Sequence, residues 1–411
     1  MAKQKRNPNL RVVKEEEVAM LERRVPKRAK ARETVRKRDG SRKKQFQKHM
    51  LIAFAAIMFL ITGVYLFITF HKYTDMDVVY TADGSEFAQD KYITFADGIL
   101  RYGLDKVSLM DTRGKEKWSH ACQLHDPEAK VSEESAAVAD IGGNEILVFD
   151  KKGLKGKIQT TKPIQKVVVS GQGIVSVLLK EESTAEVVCY DAAGNILVEN
   201  RSSFRTAGYP VDIAISRDGY ILAVSYLLVE ENVLTSKVVY YDFGGNPKGE
   251  GDYKSEEFTY KDEVIPSVFF MGGDESVMVG SKQMILCQGT RRPKVNETVK
   301  FDKEVKSLFY NKDYIGIIFK GKSGSDVLGV YTANGKELFL KELDSEYGNM
   351  KIEGDEVILY DGKKCSIFTA KGVHRFEGEL EEDIVNIFPS EGMNKYCAIT
   401  MSGLKEMRLT K

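Results

Sequence analysis

The chain has 411 residues, room for one large domain or two ordinary ones, and its formal net charge at neutral pH is only +1. That balance hides a split, because residues 1–48 hold 18 Lys/Arg against 6 Asp/Glu, so a +12 segment precedes a body of −11. The five cysteines (Cys122, Cys189, Cys287, Cys365 and Cys397) are odd in number, widely spaced and never Cys-x-x-Cys, which excludes a disulfide framework and a zinc finger.

Residues 1–48 are polar and rich in Lys/Arg, a composition that predicts a basic, mostly disordered tail. Val18, Leu21 and Val25 fall at helical spacing after Glu15–Glu17, and Pro26 then interrupts. A short helix there would suit a cytoplasmic partner; the plainer reading is a solvated flank to the segment that follows. Near an anionic leaflet each Lys or Arg contributes about 1 kcal/mol, so the end of the tail is expected against anionic lipid. It has no interleaved aromatics and no recognisable module, so nucleic acid is not an expected partner.

From Met50 through Leu60 to Phe70 the chain runs 21 residues without a charge. At about 1.5 Å per residue this makes ~31 Å of helix, matching the hydrocarbon core of a bilayer. The segment 49–71 is therefore expected to be a transmembrane helix. Arg36, Lys37, Arg38, Arg42, Lys43, Lys44 and Lys48 precede it, whereas Lys72, Asp75 and Asp77 follow it. Positive charge stays inside, which predicts a cytoplasmic N-terminus and an external body at 72–411. The long basic region and extended apolar run read as an uncleaved signal anchor.

The body repeats. An apolar strand runs into Asp or Thr, then a glycine-containing turn, then a strand that opens with polar residues. Asp111, Asp150, Asp191, Asp242, Gly289, Thr332, Thr369 and Leu409 anchor these hairpins at intervals of 37–51 residues. Two more strand-like runs stand before most hairpins, as in PVDIAISRDGYILAVSYLLV (210–229), where Asp218-Gly219 turns the chain. Four short strands per unit of 40–50 residues predict propeller blades, eight of them, with seven the rival count. The last unit is one strand short, and DVVYTA (77–82) is expected to complete it and close the ring. The fold class is thus all-β, a propeller behind one helix and a basic tail.

With these repeats in hand, residues 76–411 resemble the quinoprotein and WD40-like propeller superfamily. MDTRGKEKW (110–118) is the segment most similar to the Asp-x-x-Gly-Lys-x-x-Trp hairpin of quinoprotein repeats. The architecture also resembles a domain-of-unknown-function family of membrane-anchored propellers from Gram-positive anaerobic bacteria. The resemblance implies fold, topology and a bacterial cytoplasmic membrane, and it implies no activity. Cofactor-binding quinoproteins place a tryptophan in most blades, whereas Trp118 is the only one here, and adjacent cysteines are absent. No quinone or other cofactor is therefore expected.

The chain offers little chemistry. His120, Cys122 and His125 form the nearest approach to a metal-ligand cluster, with Asp126 beside them, but the spacing fits no standard finger. Cys189, Cys287 and Cys365 each sit in an apolar run before a turn and read as small buried side chains. Gly329 to Lys336 has five residues between its glycines where a phosphate loop needs four, and Asn334-Gly335 is a good turn instead. The pairs Glu181-Glu182, Glu256-Glu257 and Glu381-Glu382 fall in polar stretches and read as solvated. No catalytic constellation emerges. The expected function is a membrane-anchored interaction module in the cell envelope, holding a protein or cell-wall polymer; a ligand sensor relaying to the tail is the alternative, and an envelope enzyme comes third.

Overall fold

The computed structural model describes residues 47–410, apart from 68–69, 181–183, 205–206, 231, 245–252, 274, 290 and 322–323. The expectation for the basic tail falls, up to residue 46, outside the described residues. The chain divides into two compact units, Met1–His71 and Lys72–Lys411. In the first, Gln47–Phe67 forms one helix of 21 residues, long and apolar enough to cross a membrane. Its side chains are exposed along the described length. Thr62 donates its hydroxyl hydrogen to the Met58 carbonyl at 2.8 Å, so its polar group is satisfied within the helix.

In the second unit the described residues form eight four-stranded antiparallel sheets. Seven are built from consecutive strands, and they occupy 91–121, 127–159, 164–203, 209–261, 267–300, 305–342 and 349–379. We number these blades 1 to 7. Blade 8 takes its first three strands from Ile384–Pro389, Lys395–Thr400 and Gly403–Thr410, and its fourth from the other end of the unit, Asp75–Asp83. Asp75 stands opposite Thr410 and Asp83 opposite Gly403, with a bulge between Val78 and Tyr80. The ring is an eight-bladed propeller closed by the strand expected at 77–82, and the seven-blade count is set aside.

Burial explains the composition of each strand. Blades stack face to face, so their second and third strands are covered on both sides and must be apolar nearly throughout. Ser135–Asp140 of blade 2 is buried at every position, and in blade 6 Ile315 to Phe319 are likewise buried. Fourth strands stand at the rim and carry the polar residues, as in Lys294–Lys300. Eight buried apolar clusters result, one between each pair of neighbouring blades. The cluster between blades 8 and 1 joins Phe388, Cys397, Ile399 and Leu404 to Phe87, Tyr92, Ile99 and Met110, so the closing seam is packed like the others.

The hairpin anchors stand where the third strand turns into the fourth, except Leu409, which lies within the third strand of blade 8 opposite Met76 and starts no hairpin. Asp111 Oδ1 accepts the backbone N–H groups of Arg113 and Lys115 at 2.9 and 3.0 Å, and Asp191 Oδ1 accepts those of Ala193 and Asn195 at 2.9 and 2.8 Å. Asp150 Oδ1 takes Lys152 N at 2.7 Å, and Asp242 Oδ1 takes Gly244 N at 2.9 Å. Thr369 Oγ1 accepts Val373 N at 3.0 Å, and Thr332 Oγ1 accepts Lys336 N at 3.2 Å. A short polar side chain there replaces the ladder bonds that the turn lacks. Gly114 and Gly335 supply the left-handed residue such turns need, with φ of 80° and 81°.

Candidate functional site

A propeller's natural sites are its axis and its two loop faces. The first strand of each blade lies nearest the axis, and several carry one charged or amide side chain within an otherwise apolar run. Lys166 Nζ of blade 3 reaches Asp212 Oδ1 of blade 4 at 2.8 Å, and Asp212 Oδ2 accepts Val268 N of blade 5 at 2.9 Å. Lys351 Nζ of blade 7 donates to Asn386 Oδ1 of blade 8 at 2.7 Å, and Asn386 Nδ2 donates to the Tyr92 carbonyl of blade 1 at 3.3 Å. Thr94 Oγ1 of blade 1 donates to Glu353 Oε2 of blade 7 at 2.7 Å, bridging past blade 8. In blade 6, Lys306 contacts both oxygens of Asp326, the nearer at 2.8 Å.

Bulges in the first strands of blades 3, 4, 6 and 8 fall at or beside Lys166, Asp212, Lys306 and Asn386. A bulge re-aims the side chains around it. Lys166, Asp212 and Asn386 use that freedom to reach from one blade to the next, so much of the axial polarity serves ring assembly.

Lys351 is the most perturbed of these groups. Burial pushes its ammonium down to about 8, and the neighbouring Glu353 carboxylate works the other way. Its nitrogen sits 3.4 Å from the centroid of the Phe388 ring, so the aromatic face carries part of the charge. In the same half of the ring, Tyr396 donates its hydroxyl to both oxygens of Glu356 at 2.9 Å, and burial raises that carboxyl. Between the first strands of the neighbouring blades 5 and 6, Phe269 and Tyr310 stack with centroids 3.7 Å apart.

Two cavities open on the side of the first-to-second and third-to-fourth turns. One of about 450 Å³ lies over blades 2 to 5, between Glu133, Gln172, Arg217 and Gly272. The larger, about 780 Å³, lies over blades 7, 8 and 1, between Glu353, Ser390, Arg113 and Lys117. Its floor includes Glu406, a buried carboxylate that accepts from Lys395 Nζ at 2.9 Å and Arg113 Nε at 3.1 Å. Lys395 first, then Arg113, holds that carboxyl below its usual range against the cost of burial.

The residues singled out as a metal-ligand cluster are not gathered into a site. Among the described residues no group of three His, Cys, Asp or Glu side chains stands close enough to hold a metal ion. His125 Nδ1 instead lies 3.0 Å from Asp140 Oδ2. Asp140 Oδ1 accepts the backbone N–H groups of His125 and Asp126. Burial opposes ionisation of Asp140, but these N–H groups and the His125 ring outweigh it and hold the carboxyl below its usual range. Burial raises the Cys122 thiol to about 11. All five cysteines are free thiols, and Cys189, Cys287 and Cys397 are raised to about 12 by burial, so they stay protonated and unreactive at neutral pH.

Trp118 stands at a seam. Its Nε1–H donates to the Lys151 carbonyl of blade 2 at 3.1 Å, and its ring stacks on Phe149 at 5.2 Å. The hairpin that carried the family resemblance thus ties one blade to the next. The inter-blade contacts of the first strands and the charges of the turn face went unread in the sequence. Their only trace there is a lone Lys, Asp or Asn inside an apolar run.

Comparison with known proteins fits this geometry. A family model described as a family of unknown function (DUF5711) matches residues 69–409. No curated protein matches the chain. Among solved structures, BamB from Moraxella catarrhalis superposes with a TM-score of 0.50 at 11% identity, covering 82% of this chain and all of that one. Saccharomyces cerevisiae Sqt1 gives a TM-score of 0.50 at 10% identity, over 83% of this chain and all of its own. Likeness at such identity concerns the fold alone.

Proposed function

The chain belongs to the DUF5711 family of unknown function, and we propose from its architecture that it is a membrane-anchored propeller serving as an interaction scaffold on the outer side of the cytoplasmic membrane. The observation that carries this reading is a pairing: an apolar 21-residue helix directly precedes a closed eight-bladed ring whose axial polar groups are largely engaged between blades. That leaves the loop faces as the surfaces free for a partner, and rigid loop faces are where propellers place recognition. The basic flank before the helix supports a cytoplasmic N-terminus and an external ring. The partner is an envelope protein or a cell-wall polymer.

Crosslinking the tagged chain in its native cells, extracting membranes and identifying what is attached tests this directly. An envelope partner that disappears when residues 72–411 are deleted is the expected result. Cytoplasmic proteins captured through the tail alone would overturn it in favour of a sensor. One observation favours that second reading: the 780 Å³ cavity over blades 7, 8 and 1 is of a size that takes a small polar ligand.

A further inference from the structure

The two loop faces differ in how their charges are used. On the third-to-fourth turns, Lys115, Lys151, Lys152, Arg292, Lys336 and Lys371 are exposed, and none has an ion-pair partner among the described residues. They belong to five blades and stand on the outer part of this face. Acids in the same turns, such as Asp111 and Asp150, fold back onto their own turn N–H groups. The exposed acids Asp97, Glu133, Glu134, Asp313, Asp355 and Glu391 stand on first-to-second turns, nearer the axis, where Asp97 pairs with Lys117 and Glu133 with Arg217.

On the opposite face several bases are paired, Lys282 with Asp262 at 2.7 Å, Lys91 with Asp126 at 3.4 Å, and Lys320 with Glu304 at 3.6 Å, whereas Lys363 and Lys364 are exposed without an ion-pair partner among the described residues. Glu381 and Asp383 add further negative charge there. One face thus presents unpaired positive charge at its rim, and on the other the exposed acids, among them Asp105, Asp344, Glu381 and Asp383, outnumber the unpaired bases.

The chain enters the ring on the basic side. Tyr73 N donates to the Arg375 carbonyl at 2.8 Å, and Asn394, in a first-to-second turn, donates Nδ2 to the Tyr73 hydroxyl at 2.8 Å. Asp75 then pairs with Thr410 at the turn end of its strand. Residues 68–74 are all that separate this entry point from the apolar helix.

We propose that the third-to-fourth turn face is an electrostatic dock for the anionic phospholipid surface of the membrane that holds the helix. This rests on the anchored reading given above. The unpaired ammonium and guanidinium groups neutralise lipid phosphates, while the opposite, acidic face stays clear for a partner. Each base near such a surface changes partitioning roughly fivefold, and the effect fades when salt shortens the screening length to a few ångströms.

The test uses the full chain in vesicles of phosphatidylcholine alone and of phosphatidylcholine mixed with phosphatidylglycerol. Flotation first establishes insertion; acylation of lysine amines by an impermeant reagent is then followed residue by residue. Lys151, Lys152, Lys336 and Lys371 should be acylated severalfold more slowly in the phosphatidylglycerol vesicles, with Lys282 and Lys320 unchanged, and high salt should remove the difference. Equal rates in both vesicles of an inserted chain would overturn the dock and leave the anchor standing. Protection by a soluble glycerol-phosphate polymer but not by phosphatidylglycerol would reassign the face to a wall polymer. A chain that floats with neither vesicle would overturn anchor and dock together.

Discussion

Leu404 offers the sharpest test of how the ring holds together. It lies in the third strand of blade 8, opposite Ala82 of the N-terminal strand, and is fully buried against side chains of blades 8 and 1. Leu404→Ala removes three buried carbons, about 2.4 kcal/mol at ~0.8 kcal/mol each. The void left at a seam fixed on both sides adds to this, for a total of about 3–4 kcal/mol. Urea denaturation of the full chain in detergent can be followed through Trp118, the only tryptophan, which sits at the blade 1–2 seam and so reports from outside the mutated one. The Trp118 transition should shift to lower urea by that amount. Leu197→Ala, at a half-exposed position on the rim strand of blade 3, should stay within about 0.5 kcal/mol of the parent. If both variants unfolded alike, or if amide exchange showed blade 8 opening while Trp118 held its midpoint, the seam would not be what keeps the ring closed.

Gly335→Ala should cost about 1–2 kcal/mol from its left-handed conformation alone, and more because its new Cβ would stand 2.8 Å from Leu286 Cδ1; thermal denaturation reads this. Burial, then the charges of Lys341 and Lys72, lowers His374 to about 4, so it is neutral in the folded ring. Its contribution is therefore complete above the unfolded value near 6.5 and is lost as pH falls from there through 4, and His374→Gln should flatten the stability profile across that window. Trp118→Phe keeps the stack on Phe149 but gives up the bond to the Lys151 carbonyl, and should lower stability by about 1 kcal/mol in the same urea assay.

The repeat was legible because propeller turns impose local chemistry. In most blades an Asp or Thr caps the turn and a glycine takes a left-handed position, so Asp111 to Gly114 and Thr332 to Gly335 announce themselves in sequence. The closing strand was legible too, because blade 8 was short of one strand and the strand-like DVVYTA at 77–82 could supply it. Contacts between blades were not legible. Whether Lys166 meets Asp212, or Asn386 meets the Tyr92 carbonyl, depends on the angle between neighbouring sheets and on bulges that leave no mark in composition. The same holds for His120, Cys122 and His125, close in sequence, where Asp140 of the next blade engages His125. Proximity along the chain suggested a ligand set; tertiary packing divided it.

The measurement that tests the central claim most directly is the topology of the chain in intact cells, read by a membrane-impermeant amine reagent and peptide mass spectrometry. Peptides from 72–411 should be labelled in intact cells, and peptides from 1–48 only after the membrane is permeabilised. Labelling of the tail from outside with the propeller protected, or protection of both segments until permeabilisation, would contradict an anchored propeller on the outer side.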